Sequence, residues 1–187
     1  MNVELLRSLG NVKKFNQGEF ICLERETGNT AYLLLQGKTD IICGSFEDKN
    51  CRVAVLHPGA VFGEMSLLEN KVRNASVQAA VNDTLVLEIE KSNFLSILQA
   101  DSEIAWNLMN TLLARMEKMM DEMKLSCFAP IAGYRRNSFY IQLKELNREQ
   151  FGQIIEQDSE YAFKLLKFLS SSLAEMNEEL LRQIKKN

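Results

Sequence analysis

Residues 59–77 read GAVFGEMSLLENKVRNASV, and they hold the side chains best suited to chemistry. Gly63 lets the backbone approach a ligand closely. Glu64 follows at once, and Met65-Ser66-Leu67-Leu68 forms a short apolar turn. Arg73 comes nine residues after Glu64 and is followed by small or polar Asn74, Ala75 and Ser76. Free backbone N–H groups at a helix start make an anion nest. An arginine adds a charge-assisted fork for phosphate oxygens, and a nearby carboxylate accepts a sugar hydroxyl. The set suits a ligand with one phosphate and one ribose. It suits equally a surface loop in which Glu64 and Arg73 form an ordinary ion pair.

Other chemistries lack parts. The cysteines are Cys22, Cys43, Cys51 and Cys127, without a CxxC pair, and His57 is the only histidine. Zinc needs about four clustered soft ligands, so no metal site is expected. Cys22 and Cys43 sit in apolar runs, where a thiol packs as a small hydrophobe. His57 precedes Pro58-Gly59, a turn signal. Neither a hydrolytic triad nor metal catalysis can be assembled, so the chain is not expected to be an enzyme and needs no cofactor.

The elements that must position the site follow from texture. The 187 residues are 46% hydrophobic and 25% charged, a balance that builds a core. Residues 2–9 read as a short helix. Between 11 and 91, β-rich runs recur at Glu19–Leu23, Ala31–Gln36, Thr39–Cys43, Arg52–Leu56, Ser76–Ala80 and Thr84–Glu90, punctuated by glycines. That spacing predicts a compact sandwich or barrel. From 92 to 124 the period turns helical, and Ala105, Met109, Leu112, Met116, Met119 and Met123 form an a/d seam. Residues 125–138 read as a linker with Pro130 and Gly133.

The tail repeats the helical part at an offset of 57. Phe151 falls on Phe94, Asp158-Ser159-Glu160 on Asp101-Ser102-Glu103, and Leu166, Leu169, Leu173, Met176 and Leu180 on the first seam. Phe139–Leu143 stands where a closing strand should. The expected layout is a domain over 1–124, a linker over 125–138, and a truncated second repeat of strand plus helices over 139–187.

FGEMSLL…VRNASV resembles the phosphate-binding cassette of the cyclic-nucleotide-binding domain family, which includes the catabolite activator and the regulatory subunit of cyclic-AMP-dependent protein kinase. The likeness extends through Phe15-x-x-Gly18, Ala31–Gly37 and Phe94, over about residues 1–124. It implies an α+β fold: an eight-stranded antiparallel, jelly-roll-like β-roll flanked by helices, with a long C-terminal helix. By the match, Gly63 and Glu64 meet the ribose, and Glu64 accepts the 2′-hydroxyl. The Ser66 backbone and Arg73 hold the cyclic phosphate, with Met65, Asn74 and Ala75 completing the site. Leu67 is the apolar latch. The chain departs from the family at Val72, where proline is common, and at Asn74, where a smaller residue is usual. Met119 and Met120 stand where the activator has base-contacting hydroxyls. Thioethers bond an adenine edge poorly, so phosphoribose capture is kept while the base is left open.

The expected function is a regulatory module that binds cyclic AMP or cyclic GMP and signals by helix repacking. The alternatives are a ligand-unresponsive dimerisation or scaffold domain, or an activator-type transcription factor. Net charge is −3, and residues 125–187 hold 9 Lys and Arg against 8 Asp and Glu, so no DNA partner is expected. No apolar run approaches a membrane span, and the start lacks a signal-peptide core, so a soluble cytoplasmic protein is expected. A homodimer through 105–123 and/or 166–180 is expected, since a lone helix cannot keep such a stripe in water.

Overall fold

The computed structural model describes residues 9–43, 51–69, 71–124 and 138–184. Residues 2–8 of the expected helix over 2–9, and all of the expected linker but Ser138, lie outside them. The chain divides into two compact units, Met1–Asn107 and Leu108–Asn187.

The first unit is built on eight strands: β1 Asn11–Phe15, β2 Phe20–Cys22, β3 Thr30–Gln36, β4 Thr39–Cys43, β5 Cys51–Leu56, β6 Val61–Phe62, β7 Ser76–Ala79 and β8 Thr84–Glu90. They form two antiparallel four-stranded sheets, ordered β1-β8-β3-β6 and β2-β7-β4-β5. The β-roll expectation holds. Alternation drives it: β7 and β8 turn Val77 and Val86 into one core cluster, while Leu87 and Ile89 are buried on the opposite face of β8. Ile21, Cys22, Tyr32, Leu34, Phe62, Val77 and Val86 form one core cluster. Gly37 turns the chain between β3 and β4 at φ +89, and a Cβ there would lie 2.6 Å from Thr84 Oγ1.

Helix α1 (Glu64–Glu69) follows β6, and α2 (Lys91–Ala100) follows β8 and buries Phe94, Ile97 and Leu98. The helical stretch after 91 is interrupted: α2 ends at Asp101 and α3 runs Ser102–Lys124. Asp101 N–H donates to Ile97 O, and its carboxylate accepts from Glu103 N. The Asp-Ser-Glu sequence thus caps one helix and opens the next.

The second unit is helical: the rest of α3, then α4 Ser138–Glu145, α5 Arg148–Gln157 and α6 Ser159–Ile184. Asn147 and Gln150 form a reciprocal capping box at α5. Here the sequence reading is corrected. Phe139–Leu143 lies in α4 and is no strand. A single strand with no sheet to join leaves its backbone groups unpaired, whereas a helix satisfies them internally. Lys144 ion-pairs with Glu117 of α3, and its ammonium sits 5.9 Å from the Tyr140 ring.

The seam residues whose side chains are described are covered. Ala105, Met109, Leu112 and Met116 of the first are buried in the single chain, as are Leu166, Leu169, Leu173 and Met176 of the second. The bare stripe on which the homodimer expectation rests is therefore absent among the described residues. Nor is any helix among them long and apolar enough to cross a membrane.

Candidate functional site

The cassette begins where β6 ends. Gly63 has φ +70, a conformation that L side chains rarely adopt, and a Cβ there would lie 2.5 Å from Arg73 Nη1. This turn lets α1 start at once and bury Glu64, Ser66, Leu67 and Leu68. Ser66 Oγ donates to Gly63 O at 3.0 Å, folding its hydroxyl back over the turn.

Arg73 is fixed from both sides by the segment before β3. Its N–H donates to Glu26 O and its carbonyl accepts from Arg25 N, each at 2.8 Å. Thr27 bridges Val72, and Glu24 N donates to Ser76 Oγ. With its backbone held, the side chain runs inward until it is only 5% exposed. Nη1 donates to Thr30 O at 2.7 Å, Gly63 O at 2.6 Å and Ser66 Oγ at 2.7 Å; Nη2 donates to Thr30 Oγ1 at 2.9 Å. Nη1 has two hydrogens for three acceptors, so one hydrogen is shared. The guanidinium carbon lies 5.5 Å from the centre of the Tyr32 ring, which stacks on Phe62 at 5.2 Å.

The acceptors are two carbonyls and two hydroxyls, all neutral. The ion pair between Glu64 and Arg73, the plain alternative for these residues, is not among the arginine's bonds. Glu64 is itself buried at the first position of α1, where the helix dipole favours a carboxylate.

Behind the arginine runs a chain of donors. Thr30 Oγ1 donates to Tyr32 OH at 3.2 Å, Tyr32 OH donates to Glu88 Oε1 at 3.3 Å, and Lys13 Nζ donates to the same oxygen at 2.8 Å. Burial pushes the Tyr32 phenol above its ordinary range. Burial also pushes the Cys22 thiol up, against a smaller opposing pull from the Arg73 charge.

The remaining expected residues occupy two places. Met65, Asn74 and Ala75 lie at the rim, where Asn74 Nδ2 donates to Met65 Sδ at 3.7 Å and Asn74 is exposed. Met119 and Met120 lie on α3 within the second unit; Met120 is buried, and the Met119 side chain is outside the described residues.

Two residues that the sequence reading did not single out belong to the cluster. Thr30 gives the arginine two of its four acceptors. Gly28 clears the space: a Cβ there would collide with Ser66 Oγ and lie 2.6 Å from both Cζ and Nε of Arg73. No local pattern flags Gly28, because both neighbours are remote in sequence. Among the described residues no cluster of His, Cys, Asp and Glu could hold a metal ion.

The model of the family described as "Cyclic nucleotide-binding domain" matches residues 12–101, which span both sheets, the cassette and α2. Residues 12–101 belong to the cyclic nucleotide-binding domain family. A cyclic AMP receptor protein from Thermus thermophilus is 29% identical over 154 residues, 82% of this chain and 69% of that protein. Human cGMP-dependent protein kinase 2 is 31% identical over 84 residues, 44% of this chain but only 11% of the kinase. The crystal structure of the Thermus thermophilus catabolite activator protein superposes with a TM-score of 0.57 at 23% identity, covering 91% of this chain and 94% of that one. The last comparison speaks to fold alone. The cyclic nucleotide-binding fold thus surrounds a cassette whose arginine is buried.

Proposed function

We propose that the chain is a regulatory module that binds a cyclic nucleoside monophosphate, cyclic AMP or cyclic GMP, and signals by helix repacking. Arg73 carries the reading. Its guanidinium is buried, and the four acceptors it bonds are all neutral, which supports an anion as the further partner of its charge. In this reading Arg73 and the Ser66 backbone take the cyclic phosphate. Gly63 and Glu64 take the ribose, and Met65, Asn74 and Ala75 border the site. Leu67, buried in α1, is the latch. The relatives named for cyclic AMP and cyclic GMP support the ligand class. The setting proposed is cytoplasmic. The layout proposed is a binding domain with its long helix over 1–124, a linker, and a truncated repeat over 139–187.

Calorimetric titration of the wild type and Arg73→Ala with each nucleotide tests the reading. Loss of a buried charge-assisted contact should weaken binding about ten- to hundred-fold, or ~1.5–3 kcal/mol. Equal affinities, or no binding by the wild type, would overturn it.

The same side chain favours a second reading. Four protein acceptors hold Arg73 in place, which also suits a ligand-unresponsive dimerisation or scaffold domain. Absence of heat with both nucleotides would select it.

A further inference from the structure

Cys43 ends β4 and Cys51 begins β5, and the two are partners across the antiparallel ladder. A shift of register puts them there. From Thr39↔Leu56 to Ile41↔Ala54 the ladder runs toward a pairing of Cys43 with Arg52. An irregularity between Ile41 and Ile42 skips one residue of β5, giving Ile42↔Arg52 and then Cys43↔Cys51. Directly opposed antiparallel residues share a face, and their Cα atoms lie about 4.5 or 5.5 Å apart, depending on the hydrogen-bonding pair. Both spacings fall within the roughly 4.4–6.8 Å that a disulfide spans. Cys22 is 7% exposed and takes no part in this ladder position.

We propose that Cys43 and Cys51 form a redox-responsive dithiol whose oxidation cross-links β4 to β5. The oxidant is a low-molecular-weight disulfide. One cysteine thiolate attacks it, forming a mixed disulfide and expelling one small thiolate. The second cysteine thiolate attacks the protein sulfur of that mixed disulfide and expels the other small thiolate. Two protein thiols are oxidised to one disulfide, and the reagent disulfide is reduced to two thiols that carry the two protons. Excess thiol reverses both steps. Thiol pairing requires no nucleotide. Its location nonetheless bears on the cassette. Ile42 pairs with Ser76, so Cys43 sits one step further along, at the strand end where Asn74 and Ala75 enter β7.

The full chain is treated with oxidised glutathione under native conditions, quenched by alkylation and digested with trypsin. The expected product joins the peptide of residues 39–49 to that of residues 50–52, lighter than their sum by two hydrogens. Thiol titration in denaturant should fall from four per chain to two, and dithiothreitol should restore four. Cys43→Ser and Cys51→Ser should each abolish the link; if one fails to fold the other serves, and the wild-type peptide map needs neither. Glutathione adducts that persist on Cys43 or Cys51, links to Cys22 or Cys127, links between chains, or four unchanged thiols would each overturn the proposal.

Discussion

The Cβ that Gly28 lacks would lie 2.6 Å from the Cζ and Nε of Arg73. Gly28 is not among the glycines with positive φ, so no left-handed backbone conformation demands glycine there. What it provides is room. The loop before β3 closes against the cassette only because no side chain stands between them. Gly28→Ala should therefore act by steric displacement of the Arg73 side chain, at about 1–3 kcal/mol in stability. Urea denaturation without ligand measures it. An unchanged midpoint would show that the arginine can yield without loss.

Arg73→Lys is not conservative here. One ammonium cannot reproduce two nitrogens that reach Thr30 O, Thr30 Oγ1, Gly63 O and Ser66 Oγ. Buried carbonyls left without a donor cost about 1–3 kcal/mol. The ligand-free protein should lose stability of that order in denaturant titration. Full retention would mean that these bonds are dispensable to the cassette.

Much of this framework is legible in the residues. Six strands show as short β-rich runs, and Thr39–Cys43 and Thr84–Glu90 coincide with β4 and β8. β1 escapes because four of its five residues are exposed, with Lys13 and Lys14 guarding a sheet edge, so no alternation marks it. β6 escapes because two residues cannot show a period. Phe139–Leu143 misleads because aromatic and β-branched residues score as strand wherever they lie, and only tertiary context supplies a partner. The shared Asp-Ser-Glu marks a real structural echo: Asp101 has φ −145 and ψ 99, Asp158 has φ −150 and ψ 83, and each donates its N–H four residues back, to Ile97 and Ile154. Gly63, Glu64, Ser66 and Arg73 can be named from sequence because they lie within eleven residues. Gly28 and Thr30 join them only through folding.

Alkaline pH should destabilise the fold through Cys22 and Tyr32. Burial raises both above their ordinary values of 9.0 and 10.0. The folded state then holds these protons more tightly than the unfolded one. That contribution is complete below the unfolded values and is lost as pH rises through the folded ones. Urea midpoints should be flat up to about pH 8.5 and then fall, thiol first. Cys22→Ala should remove the earlier part of the decline. A flat profile past about pH 10 in the wild type would refute this.

Specific binding to duplex DNA is not expected. Helix α6 opens on Ser159-Glu160 after Asp158, whose carboxylate accepts from Tyr161 N. Acidic groups at the leading end of a helix oppose phosphate, and residues 125–187 hold only 9 Lys and Arg against 8 Asp and Glu to offset them. Selection from a random duplex library should enrich no site. One enriched palindrome with salt-sensitive affinity would reverse the conclusion and promote the transcription-factor reading.

The seams make the last prediction. Met109, Leu112, Met116, Leu166 and Leu169 have no exposed surface in the isolated chain. A stripe that needed a second copy would show that surface in a monomer. Static light scattering should therefore report a monomer at micromolar concentration, in place of the homodimer that heptad spacing suggests. Leu112→Glu with Met116→Glu separates the two cases. At a dimer seam the charges would yield a folded monomer. Inside one chain they must be buried without a partner, and the lost packing alone costs about 2–5 kcal/mol per site. The double variant should then unfold or aggregate, seen as loss of the cooperative urea transition. A wild-type dimer that the substitutions convert to a folded monomer would restore the intermolecular seam.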